Sequence, residues 1–289
     1  MHRIHALLKQ KASETNTALW IIEKDYALSY LLMAISDIPL LHDLLVLKGG
    51  TALRKTYFQN YRFSEDLDFS TNAELDELEI RKSIAKAIQN MEINLRERGP
   101  FNIQSESLIL REPHPGQQIA YAIRVQFPYH REAMCRIKVE ITVDEPVLLV
   151  PESRKVLHDF DEPLEAKVNV YQLSEIIAEK FRALLQSLYR LQKKGWGANR
   201  ICRDYYDLWW ILKELITPYD DIPSLTNQKC GVRDVDYQQM DNFFDPLLIE
   251  VARKEWDKLL VPFIPENVAV ETVLTELQTF TRDLWNKAL

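Results

Sequence analysis

VLKGGTALRKTY, Val46 to Tyr57, and RFSEDLDF, Arg62 to Phe69, are the two segments that decide the fold. Glycine is scarce in this chain, with 7 residues in 289, whereas soluble proteins average about 7%. Gly49 and Gly50 are nevertheless adjacent, between an apolar run and a run with helical spacing. This pattern predicts a tight turn from a buried strand into a helix, whose first amides attract phosphate.

Two aspartates, Asp66 and Asp68, lie one residue apart in a segment that reads as a second short strand. Alternation along a strand places both carboxylates on one face, with Leu67 and Phe69 buried behind them. Two carboxylates on one face repel each other unless a cation lies between them. Because Mg²⁺ is commonly bound by one or two carboxylates together with substrate phosphates, we expect a site for Mg²⁺ or Mn²⁺ here.

A third carboxylate is expected from a neighbouring strand. Glu140 is the main candidate, because apolar residues flank it in the predicted strand Met134–Val143. Asp144 is an alternative with the same alternation parity, and the sequence leaves the choice open.

The periodicity of the whole chain predicts an α+β protein with two domains. Residues 1–160 are expected to combine N-terminal helices with a small mixed sheet, and residues 161–289 to form a mainly helical domain. A Pro-punctuated passage between Pro146 and Pro163 is the expected junction, with little strand character after it. The other predicted elements are the helices Thr17–Ile38, Ala73–Arg98, Leu173–Leu191, Asp204–Leu215, Phe244–Leu259 and Val268–Trp285, and the strands Leu44–Lys48, Leu67–Ser70, Asn102–Arg111 and Ile119–Phe127.

The composition is that of an ordinary globular protein, with 46% apolar and 27% charged residues. A net charge of −7 argues against a general nucleic-acid or membrane coat, although a local basic groove stays possible. The three cysteines lie far apart, without the spacing of a zinc site or a disulfide framework. With no apolar signal segment at the N-terminus, these features indicate a cytoplasmic protein that does not associate with membranes.

Five blocks occur in a fixed order between Glu23 and roughly Trp210: EKDYALSYLL, VLKGGTALRKTY, RFSEDLDF, SEIIAEKFRALLQ and RDYYDLWW. Together they resemble the AbiEii/AbiGii toxin family of bacterial nucleotidyltransferases, within the polymerase-β-like nucleotidyltransferase superfamily. The resemblance implies a nucleotidyltransferase sheet flanked by helices. It also implies the toxin half of a toxin–antitoxin or phage-defence pair.

The resemblance also implies site residues. Asp66 and Asp68 would hold the metal, with Glu140, and the helical domain would close over the nucleotide. The residues implied for nucleotide binding are Gly49, Gly50 and Thr51, to which Arg54 and Lys55 could add, and those implied from the helical domain are Lys180, Asp204 and Asp207. The structural alternatives are a surface lysine paired with Glu175 or Glu179, and a helix cap with an intrahelical ion pair.

The implied activity is transfer of a nucleoside monophosphate from an NTP to an RNA, with the tRNA 3′ end as the leading acceptor and a cognate antitoxin as partner. Two other hypotheses remain open at this point. One is nucleotidylation of a small molecule or of a protein hydroxyl. The other is a non-catalytic nucleotide-binding or interaction module of a defence system.

Overall fold

The computed structural model describes residues 3–71, 76–109, 118–214, 221–236 and 239–287. The chain divides into two compact units, Met1–Tyr171 and Gln172–Leu289. This division falls later in the chain than the residue 160 expected from sequence. The reason is a strand at Lys167–Val170, which pairs with the strand before the diglycine and therefore belongs to the sheet of the first unit.

The first unit contains five helices and seven strands among its described residues. The helices are α1 (Arg3–Glu14), α2 (Leu19–Ser36), α3 (Pro39–Leu44), α4 (Gly49–Ala52), which continues as a π-helical turn over Leu53–Tyr57, and α5 (Glu77–Leu95). The strands are β1 (Val46–Lys48), β2 (Leu67–Ser70), β3 (Asn102–Leu108), β4 (Gln118–Gln126), β5 (Cys135–Thr142), β6 (Glu152–Lys155) and β7 (Lys167–Val170).

All seven strands form one mixed sheet in the order β3-β4-β5-β2-β1-β7-β6. At its centre β2 runs antiparallel to β1 and parallel to β5. Leu47, Leu67, Val139 and Ile141 are fully or almost fully buried, so alternation turns the neighbouring polar residues of these strands to the opposite face. The sheet order therefore brings the strand before the diglycine, the strand with Asp68 and the strand with Glu140 side by side.

The mixed α+β class predicted from the sequence is confirmed. Two strands were not predicted: β6 lies within the Pro-punctuated passage, and β7 is an exception to the little strand character expected after it. Strands β6 and β7 lie in or directly after the Pro-punctuated passage and extend the sheet beyond β1. Each has only four residues, and β6 reads ESRK, with no apolar residue. A pattern that short cannot be recognised from alternation, and it is the pairing with β1 that makes β7 a strand.

Most other boundaries of the first unit differ from expectation by a few residues. Helix α5 begins after Asp76, whose side chain accepts hydrogen bonds from the amides of Leu78 and Glu79. Residues 73–75 of the predicted helix Ala73–Arg98 and residues 110–111 of the predicted strand Asn102–Arg111 lie outside the described residues.

The described residues of the second unit form helices joined by loops, with no strand, as predicted. Its helices are α6 (Leu173–Lys194), α7 (Ile201–Glu214), α8 (Ile222–Val232), α9 (Pro246–Glu255) and α10 (Val270–Lys287). Helix α6 ends at Gly195, which takes the left-handed conformation with φ +73°. Helix α8 was not predicted, because its sequence, IPSLTNQKCGV, is rich in residues with low helix propensity. Leu215, the last residue of the predicted helix Asp204–Leu215, lies outside the described residues.

None of the helices in the described ranges combines the length and the apolar composition needed to cross a membrane.

Candidate active site

The diglycine turn is shaped by the protein's own side chains. Gly49 has φ +72°, a conformation that favours glycine, and a Cβ at this position would lie 3.2 Å from Oδ2 of Asp68. A Cβ on Gly50 would lie 2.6 Å from a guanidinium nitrogen of Arg62 and 3.3 Å from Oγ of Ser64. The two glycines therefore make room for Asp68 on one side and for Arg62 and Ser64 on the other.

Thr51 ties this turn to the segment that leads into β2. Its side chain is almost fully buried. The hydroxyl donates a hydrogen bond to the backbone oxygen of Asp66 and lies 2.8 Å from the hydroxyl of Ser64. The turn and the acidic segment are thus one local structure, although more than ten residues separate them in sequence.

Asp68 lies opposite two charged residues of the neighbouring strands. On β1 its partner in the register is Lys48, and on β5 its partner is Glu140. Asp68 and Glu140 are both half-buried, and Glu140 forms an ion pair with Lys138 at 2.8 Å. Two carboxylates on adjacent strands repel each other, so this pair can bind a cation in addition to Lys138.

Asp66 does not share this arrangement. Strand β2 spans Leu67–Ser70, the bounds predicted from the sequence, so Asp66 directly precedes the strand and its side chain is not placed by the alternation of β2. The backbone of Asp66 accepts the Thr51 hydrogen bond instead of pairing in the sheet. Asp144, the alternative to Glu140, is exposed and lies beyond the end of β5, whereas Glu140 lies within it, opposite Asp68.

The donor set was tested for its fit to a divalent cation. Within the described ranges, no three side chains of the types His, Cys, Asp and Glu are gathered closely enough to hold an ion by themselves. Mg²⁺ does not require such a cage, because it commonly takes one or two carboxylates and completes its coordination with phosphates and water. The pair Asp68 and Glu140 fits this requirement, and the assignment of Asp66, Asp68 and Glu140 as metal ligands remains a prediction.

Lys48 was not selected from the sequence, although it directly precedes the diglycine. It is almost fully buried, and its ammonium lies 3.5 Å from a carboxylate oxygen of Glu145 and 5.8 Å from the centre of the Tyr171 ring. The alternation of β1 could have placed Lys48 on the face of Asp68. Its pairing with Glu145 could not be read from sequence, because Glu145 follows the end of β5.

Arg54 and Lys55, implied as additional phosphate ligands, both contact the buried carboxylate of Asp25 on α2. The distances are 3.4 Å from Nε of Arg54 and 2.8 Å from Nζ of Lys55, which also donates to Ser29. Burial alone would raise the pKa of Asp25, but the two cations lower it. Burial lowers the pKa of Lys55 to about 8 in spite of Asp25. This geometry gives both cations a structural partner, and their contact with phosphate remains a prediction.

The three residues implied from the helical unit form one cluster. Nζ of Lys180, on α6, lies 2.9 Å from Asp204 and 2.6 Å from Asp207, both on α7. Lys180 is nearly buried, and Asp207 is completely buried. The structure therefore brings these three residues together, while their role with a nucleotide remains a prediction.

The ion pairs of this cluster differ from those of the structural alternatives, which lie within a single helix. Lys180 contacts two aspartates of another helix, whereas Glu175 contacts Lys229 at 2.7 Å and Glu179 contacts Arg182 at 3.2 Å. Asp204 is not a helix cap, since α7 begins at Ile201. The contacts of Lys180 thus join two helices and are not a feature of one helix surface.

The chain was compared with known proteins. No curated protein is significantly similar to it in sequence. MenT4, a nucleotidyltransferase toxin from Mycobacterium tuberculosis H37Rv, is one of seven matching chains of solved structures, with a TM-score of 0.64 and 18% identity over 98% of this chain and 92% of that chain. At this identity the likeness shows a shared fold. The family model described as nucleotidyl transferase AbiEii toxin, type IV toxin–antitoxin system, matches residues 30–276, most of the chain. The chain therefore belongs to the AbiEii family of nucleotidyltransferase toxins, as its five ordered sequence blocks implied.

Proposed function

We propose that this nucleotidyltransferase moves a nucleoside monophosphate from an NTP to an RNA acceptor, the 3′ end of tRNA. One observation carries the proposal: Asp68 lies opposite Glu140 on adjacent central strands and is also the nearest side chain to Gly49 of the diglycine turn. Two carboxylates beside a glycine turn at the start of a helix suit the transfer of a nucleotidyl group from a triphosphate.

The reaction would proceed by in-line displacement at the α-phosphorus. The oxygen of the acceptor hydroxyl forms a bond to the α-phosphorus, the bond from that phosphorus to its bridging oxygen breaks, and pyrophosphate leaves. The hydroxyl proton passes to one of the two carboxylates, Asp68 or Glu140, which act as the general base. The phosphates of the NTP would be held by the backbone of Gly49, Gly50 and Thr51.

Asp68 and Glu140 would hold Mg²⁺ or Mn²⁺, with phosphate oxygens and water completing the coordination of the ion. When bound, the ion neutralises triphosphate charge and lowers the pKa of the attacking hydroxyl. Lys180 would stabilise the charge that develops on pyrophosphate, with Asp204 and Asp207 fixing the position of its ammonium. These two aspartates would therefore act as positioning residues.

The membership of a toxin–antitoxin family supports a cognate antitoxin as a further partner. A transferase that modifies tRNA would act in the cytoplasm, where it blocks translation unless the antitoxin restrains it. The antitoxin could act without direct binding, for example by modifying or repressing the toxin.

The test is incubation of the purified protein with Mg²⁺, one α-labelled NTP at a time, and total bacterial RNA. We expect label in a tRNA-sized band with one of the four nucleotides. The variant Asp68→Asn should give no labelled band and should melt at the wild-type temperature, because the change removes one charge from a half-buried position and keeps the side-chain volume.

Other outcomes distinguish the alternatives. Label that moves to a protein or to a small molecule would refute the RNA acceptor and support the second enzyme hypothesis. Wild-type protein that binds neither Mg²⁺ nor any NTP in calorimetric titration would refute catalysis and support the non-catalytic module.

A further inference from the structure

The sheet face that carries Asp68 and Glu140 also carries a pair of arginines. Arg124 on β4 lies directly opposite Arg136 on β5, in the same register that places Ala122 opposite Lys138 and Ala120 opposite Glu140. Residues of equal parity on a strand point to one face, so Arg136, Lys138 and Glu140 form a row. The face therefore holds two like-charged cross-strand pairs, one acidic and one basic.

The two arginines are exposed, and they are not compensated from within the described residues. Neither side chain forms an ion pair or a side-chain hydrogen bond with any residue that the structure describes, whereas Lys138 is paired with Glu140. Like charges directly opposite each other cost stability in an antiparallel pair. In a protein with a net charge of −7, this arrangement is what a surface for a polyanion would need.

Arg136 also lines a groove of about 510 Å³ beside the start of β5. The indole of Trp20, on α2, is 48% exposed at this groove, and Met134 is 74% exposed. Lys24 lies 5.8 Å from the centre of the Trp20 ring and 3.5 Å from Glu65, the residue before Asp66. The groove thus adjoins the segment that leads into the acidic strand.

The groove contains one acidic side chain whose charge is already engaged. Glu23 lies 3.1 Å from His130 and accepts a hydrogen bond from Tyr129 at 2.8 Å, and its burial raises its pKa. The exposed groups of the groove are therefore the ring of Trp20, the thioether of Met134 and the guanidinium of Arg136, while Lys24 is half-buried and paired with Glu65. This combination is typical of surfaces that bind single-stranded nucleic acid by stacking bases and pairing phosphates.

We propose that Arg124, Arg136 and Trp20 bind the single-stranded 3′ segment of the acceptor RNA and lead its terminal hydroxyl to Asp68 and Glu140. The arginines contact backbone phosphates, and Trp20 stacks on a base. Glu140 lies four residues beyond Arg136 on the same strand, about 13 Å away at the usual rise. This inference rests on the proposed function, because it takes the acceptor to be RNA. An acidic protein as the acceptor would account for Arg124 and Arg136 but not for the exposed aromatic ring of Trp20 beside them.

The test is equilibrium binding of labelled bacterial tRNA, without Mg²⁺ or NTP, at several salt concentrations. For the double variant Arg124→Gln/Arg136→Gln we expect affinity about tenfold lower, and a slope of log affinity against log salt that is smaller by about 1.4, or 0.7 for each lost phosphate contact. Trp20→Ala should weaken binding severalfold without changing the slope. The charge-matched control is Arg81→Gln/Arg96→Gln, which removes two exposed arginines from α5 and the turn after it and should bind like wild type.

Wild-type affinity and slope in the Arg124/Arg136 variant would overturn the inference, and so would an equal loss in the control variant. Failure of the proposed function looks different. Wild-type protein that binds tRNA through these arginines but transfers no label to it would keep this surface and refute the acceptor. Transfer to tRNA with an unchanged KM in the arginine variant would keep the function and refute this surface.

Discussion

Asp25 and Asp68 both come from sequence blocks by which the chain resembles its family, but the structure surrounds them with opposite kinds of neighbour. Asp25 is completely buried and contacts the cations of Arg54 and Lys55. Asp68 is half-buried on a sheet face, next to a second carboxylate, Glu140. The first arrangement compensates charge within the fold, whereas the second places like charges side by side.

The difference separates a structural role from a functional one. A buried carboxylate is costly unless cations and hydrogen-bond donors surround it, and Arg54 and Lys55 supply these cations to Asp25. A pair of adjacent carboxylates reduces stability, and such pairs are frequent at functional sites, where a ligand supplies further positive charge. The same reasoning applies to the opposed arginines Arg124 and Arg136, with a polyanion as the ligand.

The largest effect on stability is expected from Asp25→Asn. The change leaves Arg54 and Lys55 buried without a counter-charge, and we expect the free energy of unfolding to fall by about 4 kcal/mol. Urea unfolding measures this loss of stability. The transfer rate per folded molecule should stay within about twofold of wild type. Wild-type stability combined with lost transfer would assign Asp25, Arg54 and Lys55 to the active site and would contradict a structural role for Asp25.

Lys180→Met tests whether the cluster of Lys180, Asp204 and Asp207 has a structural or a functional role. It leaves Asp207 completely buried without its cation, and we expect a loss of about 3 kcal/mol in stability. The neutral double variant Lys180→Met/Asp207→Asn should recover most of this loss. If Lys180 acts on the leaving pyrophosphate, neither variant transfers label. Recovery of both stability and transfer in the double variant would make the cluster purely structural.

Glu140→Gln and Asp144→Asn test which of the two residues supplies the carboxylate that acts with Asp68. Glu140 lies opposite Asp68, so we expect the first variant to reduce the rate of transfer about 100-fold, equivalent to about 2.7 kcal/mol. Asp144 is exposed beyond the end of β5, and its variant should keep the wild-type rate. Initial rates of label transfer at saturating NTP measure the effect of both variants. The opposite result would assign the third carboxylate to Asp144.

The local part of this site could be predicted from sequence. The scarcity of glycine marked the turn at Gly49, and alternation marked β2, β5 and the face of Asp68 and Glu140. These features depend on residues near each other in the chain. The bounds of β2 were predicted correctly, but alternation could not show what Asp66 contacts, because this residue lies before the strand.

The long-range part could not be predicted. The contact of Arg62 with Gly50, the pairing of Lys48 with Glu145 and the pairing of Asp25 with Lys55 all depend on how distant segments pack. The contact of Lys55 with a buried carboxylate was missed for this reason, while its contact with phosphate remains a prediction. Strands β6 and β7 were missed for the same reason, since their four residues become strands only by pairing with the sheet.

The smallest expected effect comes from Gly49→Ala, which tests whether the turn serves Asp68 in particular. The left-handed φ costs about 1–2 kcal/mol for any residue with a Cβ, and this Cβ would also press on Oδ2 of Asp68 at 3.2 Å. Gly195→Ala is the matched control, because Gly195 has nearly the same φ, +73°, and no atom within 4 Å of the added Cβ. Both variants should lose similar stability in urea unfolding, but only Gly49→Ala should lower the transfer rate, severalfold. If the two variants transferred label equally well, the contact between the turn and Asp68 would matter for the fold alone. Asp68 would then resemble Asp25 in having a structural role in this contact.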